Sequence, residues 1–178
     1  MKEKRLLFVL FATLWLTLLC FGGCGSDKPS AAQTAAESLP FSVPSIFTPD
    51  EDGTARNQML TFQSQNHTTL IVSCKDSTAS FLSHIRKTKM TKESLVAAYK
   101  AGGLDVTVSN LHIKDLDDQY SLTYTVHLTT QNGSTITRKY IRITGKELLD
   151  ISCGGNVTNK DLIDLEYTEV LQAVQQNS

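Results

Sequence analysis

From Tyr120 onward the chain alternates strictly: Tyr120, Leu122, Tyr124, Val126 and Leu128 are each followed by a polar residue. A period of two puts every second side chain on one face of an extended strand, so this stretch must build a sheet with one apolar face. The turn signal Gln131-Asn132-Gly133-Ser134 follows, because Asn-Gly tolerates the positive φ of a tight hairpin. Thr135 to Ile143 is the returning strand. Upstream, Val106 to Ile113 leads through the acidic turn Asp115-Leu-Asp-Asp118 into the alternating run. Downstream, Gly145-Lys146 turns the chain into Leu148 to Cys153. Connections this short cannot cross over a sheet, so the four strands form an antiparallel meander.

Before the meander, Met59 to Ser64 and Thr69 to Cys74 read as two strands joined around Gln65-Asn66-His67. Phe47 to Asn57 holds Pro49, Asp50, Asp52 and Gly53 and reads as a loop. In Asp76 to Met90, Phe81, Leu82 and Ile85 sit at helical spacing, which fits a short helix or an ordered loop. Thr91 is the expected N-cap of a helix through Ala101, with Leu95, Ala98 and Tyr99 inward and Gly102-Gly103 ending it. At the other end Gly154-Gly155-Asn156 is expected to break the chain. Thr158 or Asn159 then caps a last helix, buried along Ile163, Tyr167, Val170, Leu171 and Val174. The expected class is α+β: an antiparallel sheet of about six strands, hairpin plus meander, with two or three helices covering one face.

The first residues have the three parts of a targeting segment. Lys2, Lys4 and Arg5 make it positive, Leu6 to Phe21 is apolar apart from Thr13 and Thr17, and Gly22-Gly23 are small. The apolar run falls short of the ~20 residues that span a bilayer comfortably, so a short membrane anchor is the second reading. Phe21-Gly22-Gly23-Cys24 resembles the lipobox of bacterial lipoproteins, with Phe21 where Leu is usual. That resemblance implies a diacylglycerol on the Cys24 thiol and cleavage before it. Cys20 fits less well, because Leu19 is bulky for the residue before the cut. Gly25 to Ser38 is rich in Ser, Ala, Gln and Thr and reads as a flexible tether. The expected organisation is a signal peptide at 1–23, a lipid-anchored tether at 24–38 and a single domain at 39–178. The expected location is the extracytoplasmic side of a bacterial cell envelope.

Removing residues 1–23 takes three of the 17 basic and one of the 18 acidic residues, leaving 14 against 17 and a net charge of −3. A mildly acidic domain is a poor match for nucleic acid. The expected partners are the membrane, through lipid on Cys24, and a protein of the envelope. Cys74 and Cys153 each lie in phase with the apolar residues of a strand, so both are expected to point inward. In an exported chain the pair is a disulfide candidate, with two buried free thiols as the alternative. His67, His84, His112 and His127 lack metal-ligand spacing. Asp50, Glu51 and Asp52, like Asp115, Asp117 and Asp118, do not follow a calcium-loop pattern. No Gly-x-Ser-x-Gly and no phosphate-cradling glycine loop occurs. The sequence therefore points to no cofactor, no metal and no catalytic residue.

From Phe41 to about Val174 the order of elements resembles the PsbP-like fold. The resemblance is carried by Phe41-Ser-Val-Pro44, the early hairpin, the helix at Thr91–Ala101, the meander with Tyr120–Leu128, the Gly133 turn and the helix after Asp161. The resemblance implies a binding or assembly factor; with the tether and the lack of a catalytic constellation, the expectation is a non-enzymatic binding or assembly module, and the alternative is a small ligand or metal ion bound in a pocket between sheet and helices.

Overall fold

The computed structural model describes residues 36–52, 54 and 59–176. These form an α+β fold in which β1 (Phe47–Pro49), β2 (Leu60–Ser64) and β3 (Thr69–Asp76) precede α1 (Ala79–Thr88) and α2 (Lys92–Ala101). The meander follows as β4 (Val106–Asp115), β5 (Gln119–Thr130), β6 (Gly133–Thr144) and β7 (Glu147–Asn156), and a 3₁₀ turn at Val157–Asn159 leads into α3 (Lys160–Gln176). All pairings are antiparallel and the strand order is β1-β2-β3-β7-β6-β5-β4. The sheet thus has seven strands among the described residues, one more than expected. The extra one is β1, three residues inside the segment read as a loop. Its Pro49 lacks a donor and is tolerated because β1 is an edge.

Local chemistry starts and stops the helices, at α2 as the sequence reading anticipates. Thr78 caps α1 by accepting from Phe81 N at 3.1 Å. Thr91 and Ser94 cap α2 reciprocally, and Gly102 closes it. The α1 exit is less orthodox: Lys89 takes the left-handed conformation at φ 47°, where glycine is usual. Asn156, rather than Thr158 or Asn159, caps the 3₁₀ turn by accepting from Thr158 N at 3.0 Å.

Strand register sorts the side chains onto two faces. Tyr120, Leu122, Tyr124 and Val126 of β5 share the first face with Ile143, Ile141, Lys139 and Thr137 of β6. That face then continues through Leu148, Asp150 and Ser152 of β7 to Lys75, Ser73 and Ile71 of β3. Its core also contains Leu82, Ile85, Leu95 and Tyr99, so α1 and α2 cover it. The second face carries Leu70, Val72, Ile136, Leu149, Ile151 and Cys153, packed with Phe41, Phe47 and with Ile163, Val170 and Val174 of α3. The helices therefore divide between both faces instead of covering one. The physical reason is that β6 and β7 are apolar on both sides: Leu148, Leu149 and Ile151 are all buried, and two cores need two covers.

Two turns differ from expectation. Thr130 pairs with Gly133, so Gln131-Asn132 is the hairpin loop and Gly133 opens the return strand. Gly133 alone there takes positive φ, at 129°. At Gly154-Gly155 the strand does not break. Both residues pair within the sheet. A Cβ at Gly154 would stand 2.6 Å from Thr137 Oγ1 and 2.7 Å from Ile136 O, and one at Gly155 3.2 Å from His67 O. These glycines are there for close approach, not termination.

Candidate functional site

Cys24 and the whole proposed signal segment lie outside the described residues. The other two cysteines are free thiols. Their strands do neighbour each other, but Cys74 pairs with Leu149 while Cys153 pairs with Leu70. The two cysteines are therefore four residues apart along the ladder, about 13 Å at the usual rise. Disulfides require Cα atoms within roughly 7 Å, so the expected bridge does not form. The inward placement also fails for one of them: Cys153 is buried, whereas Cys74 is exposed. Face parity was readable from the sequence, but register was not.

Cys74 opens onto a shallow cleft of about 540 Å³, lined also by Lys75, Asp76, Lys146 and Glu147. Burial, then the Glu147 carboxylate, pushes its thiol up to about 11. A thiol so held is a poor nucleophile at neutral pH. The four histidines stay dispersed: His67 on the β2–β3 turn, His84 on α1, His112 on β4 and His127 on β5. Asp115 is drawn into an ion pair with Arg86 at 2.7 Å, and Arg86 also donates to Leu116 O and thereby ties α1 to the β4–β5 turn. Among the described residues no group of three His, Cys, Asp or Glu side chains converges on a metal position.

Two buried polar clusters are new relative to the sequence reading. On the first face Lys139 is 1 % and Asp150 5 % exposed, with Nζ 2.5 Å from Asp150 Oδ1 and 2.6 Å from Ser152 Oγ. Tyr124 lies beside Lys139 across the β5–β6 ladder, and its hydroxyl sits 3.2 Å from that of Tyr99 on α2. Burial, with Tyr99 and Asp150 nearby, holds Tyr124 well above the ordinary tyrosine range. Ser73 Oγ, buried opposite Asp150, has no partner. Lys139 Nζ is thus held between the Asp150 carboxylate and Ser152 Oγ inside the core.

On the second face Glu166 is buried in the apolar stripe of α3. It accepts from Asn66 Nδ2 at 2.8 Å and Ser64 Oγ at 3.2 Å. Ser64 Oγ in turn accepts from the backbone N–H groups of Asn66 and Thr68. This ties the helix to the β2–β3 turn. A signal was available for both clusters, since Glu166 falls in phase with Ile163 and Val170, and Lys139 with Ile141 and Ile143.

The second face also has a polar part. α3 packs on β6 and β7, held by Arg138 to Asp164 at 2.6 Å and by Tyr167 Oη donating to Lys139 O at 2.9 Å. Burial opposes charge on Asp164, but the hydrogen bonds from Arg138 and Lys160 outweigh it and keep the carboxyl below its usual range. Beyond α3, the second-face core includes no residue of β4 or β5. The floor there is polar. Ser121 stands between Lys114 and Arg142, and Thr123 between His112 and Tyr140. Arg142 is paired with Glu147 at 2.9 Å. Ser121 and Arg142 are nevertheless buried, at 6 % and 9 % exposure, while Thr123 and Tyr140 are half-buried.

No family model matches this chain, and no curated protein matches it.

Proposed function

We propose that the chain is a bacterial lipoprotein, attached to the extracytoplasmic side of a membrane through lipid on Cys24. We further propose that its α+β domain is a non-enzymatic binding or assembly module for an envelope component. The address rests on the positive, apolar and small-residue parts of the N-terminus, with the cysteine directly after Gly23. One acyl chain binds a membrane only marginally, whereas two give a stable anchor, so lipid on one cysteine suffices for attachment. Among the described residues no helix is long and apolar enough to cross a membrane. The likeness to the PsbP-like fold is part of the same reading, supported by the observed order of hairpin, two helices, meander and C-terminal helix.

The observation that supports the binding role is the polar part of the second face on β4–β6, where exposed His112 and Lys114 lie beside half-buried Thr123 and Tyr140. Labelling cells with radioactive palmitate tests the address: label should enter the wild type and not Cys24→Ser, and equal label in both would place the anchor elsewhere. Pull-down of the lipidated protein from its own membranes tests the role. A specific partner should be enriched, and repeated recovery of background alone contradicts the reading.

A further inference from the structure

The sheet ends on two unequal edges. β1 spans three residues and includes Pro49, which has no N–H to offer a further strand. β4 spans ten residues and pairs with β5 alone. Leu116 and Gln119 exchange both backbone hydrogen bonds, at 2.9 and 3.3 Å. Bonded and non-bonded pairs alternate along an antiparallel ladder, so Lys114 with Ser121 and His112 with Thr123 are the next bonded pairs. Ile113 and Asp115 fall between them. Their N–H and C=O groups therefore point away from β5, where they meet no other strand among the described residues. Residues 112–115 are all exposed, Ile113 at 40 %. Such an edge is a template for one more strand.

We propose that the β4 edge at residues 112–115 takes up an extended segment of a partner protein as a further strand, acidic on one face and apolar on the other. Side chains of that strand opposite His112 and Lys114 lie on the second face, beside two basic groups. The one opposite Ile113 lies on the first face, against an apolar side chain. Asp115 does not cancel this charge pattern, because Arg86 holds it at 2.7 Å. Asp117 and Asp118 lie in the turn, past the last paired residue of β4, so the added strand ends opposite Asp115. A second copy of this chain fits less well. A two-fold antiparallel pair centred at 114 sets Lys114 on Lys114, one centred at 115 sets Asp115 on Asp115, and one centred at 113 sets Lys114 on His112. Like charges directly opposite destabilise a strand pair. Asn110, left-handed at φ 52°, and the register shift between Ser109 and His112 end the regular edge on the other side. The edge is thus guarded against self-pairing and open to an acidic strand. The inference rests on the binding-module reading and names the partner's chemistry.

The test titrates the isotope-labelled full chain, in neutral detergent micelles, with the peptide acetyl-Thr-Glu-Val-Glu-Thr-amide and reads the backbone amides by NMR. The Ile113 and Asp115 amides should shift, and their exchange with solvent should slow about fivefold at saturation as they become paired. Methylating the peptide's central amide removes the donor that faces Ile113 and should weaken binding about tenfold. The same peptide with lysine for glutamate should bind more weakly still. In Lys114→Glu, a change at an exposed position, the preference between the acidic and lysine peptides should invert, which lost folding cannot produce. No change at Ile113 and Asp115 overturns the proposal, as does equal affinity for peptides of both signs or for the methylated peptide. Exchange that slows with protein concentration in the absence of peptide would assign the edge to a second copy and overturns it too. A membrane partner recovered equally by the wild type and Lys114→Glu would leave the binding-module reading standing while the edge inference falls.

Discussion

Replacing Lys139 with Met removes the cation from the buried pair and leaves the Asp150 carboxylate at 5 % exposure with Ser73 directly across the β3–β7 ladder. Breaking a buried ion pair from one side costs about 3–5 kcal/mol, because the surviving charge stays desolvated. The Ser73 hydroxyl, unpartnered in the native arrangement, can turn to the carboxylate and return about 1 kcal/mol. The expected loss is therefore about 3 kcal/mol, or a melting point lower by roughly 10–15 °C for a domain of this size. Lys139→Met with Asp150→Val removes both charges and should lie within about 1 kcal/mol of the wild type, since apolar replacement of a buried pair is often near neutral. Urea unfolding of residues 24–178 carrying Cys24→Ser measures both, with the slope checked for constancy. The reasoning is refuted if the single variant loses under 1 kcal/mol. It is refuted equally if the double variant loses the sum of the two single losses, because the pair would then be uncoupled.

Four further outcomes rest on the same structure. Gly154→Ala forces a Cβ against Ile136 O at 2.7 Å and should cost about 1–3 kcal/mol by overpacking, read by the same urea titration. At pH 8 the raised Cys74 thiol should alkylate with iodoacetamide on the order of 100-fold more slowly than a free cysteine, reflecting its thiolate fraction, and Glu147→Gln should speed it. Non-reduced, denatured mature protein should titrate two thiols, counted without Cys24; none would restore the disulfide. Tyr124 is held above its unfolded value, so its contribution is intact below about pH 10 and is lost as pH rises towards its folded value. Tyr124→Phe should flatten the fall in stability between pH 9.5 and 11, and an unchanged slope contradicts the assignment.

Much of the fold was legible because it is set by nearest neighbours along the chain. The alternation from Tyr120 to Leu128, the Thr91 cap and the Gly102 stop each depend on residues within a turn of one another. They appear where expected as β5 and α2. The short β1 escaped because three residues around Pro49 carry no periodicity, and only pairing with β2 makes them a strand. The run through Gly154-Gly155 escaped because glycine is ambiguous in isolation. It ends a helix or strand in one context and admits a close neighbour in another, and only Thr137 and Ile136 opposite decide between the two.

The sequence by itself determined the class, the meander and the limits of α2. The tertiary structure decided what depends on distance between remote segments. Strand register separates Cys74 from Cys153 although both share a face. The pairing of β3 with β7 makes one sheet of hairpin and meander, with helices on both sides. Lys139 meets Asp150, and Glu166 meets Ser64 and Asn66, across 11 to 102 residues of chain. Side-chain alternation is a local steric property, so one segment suffices to read it. Register and burial are set jointly by several segments in contact, and no single one of them contains that information.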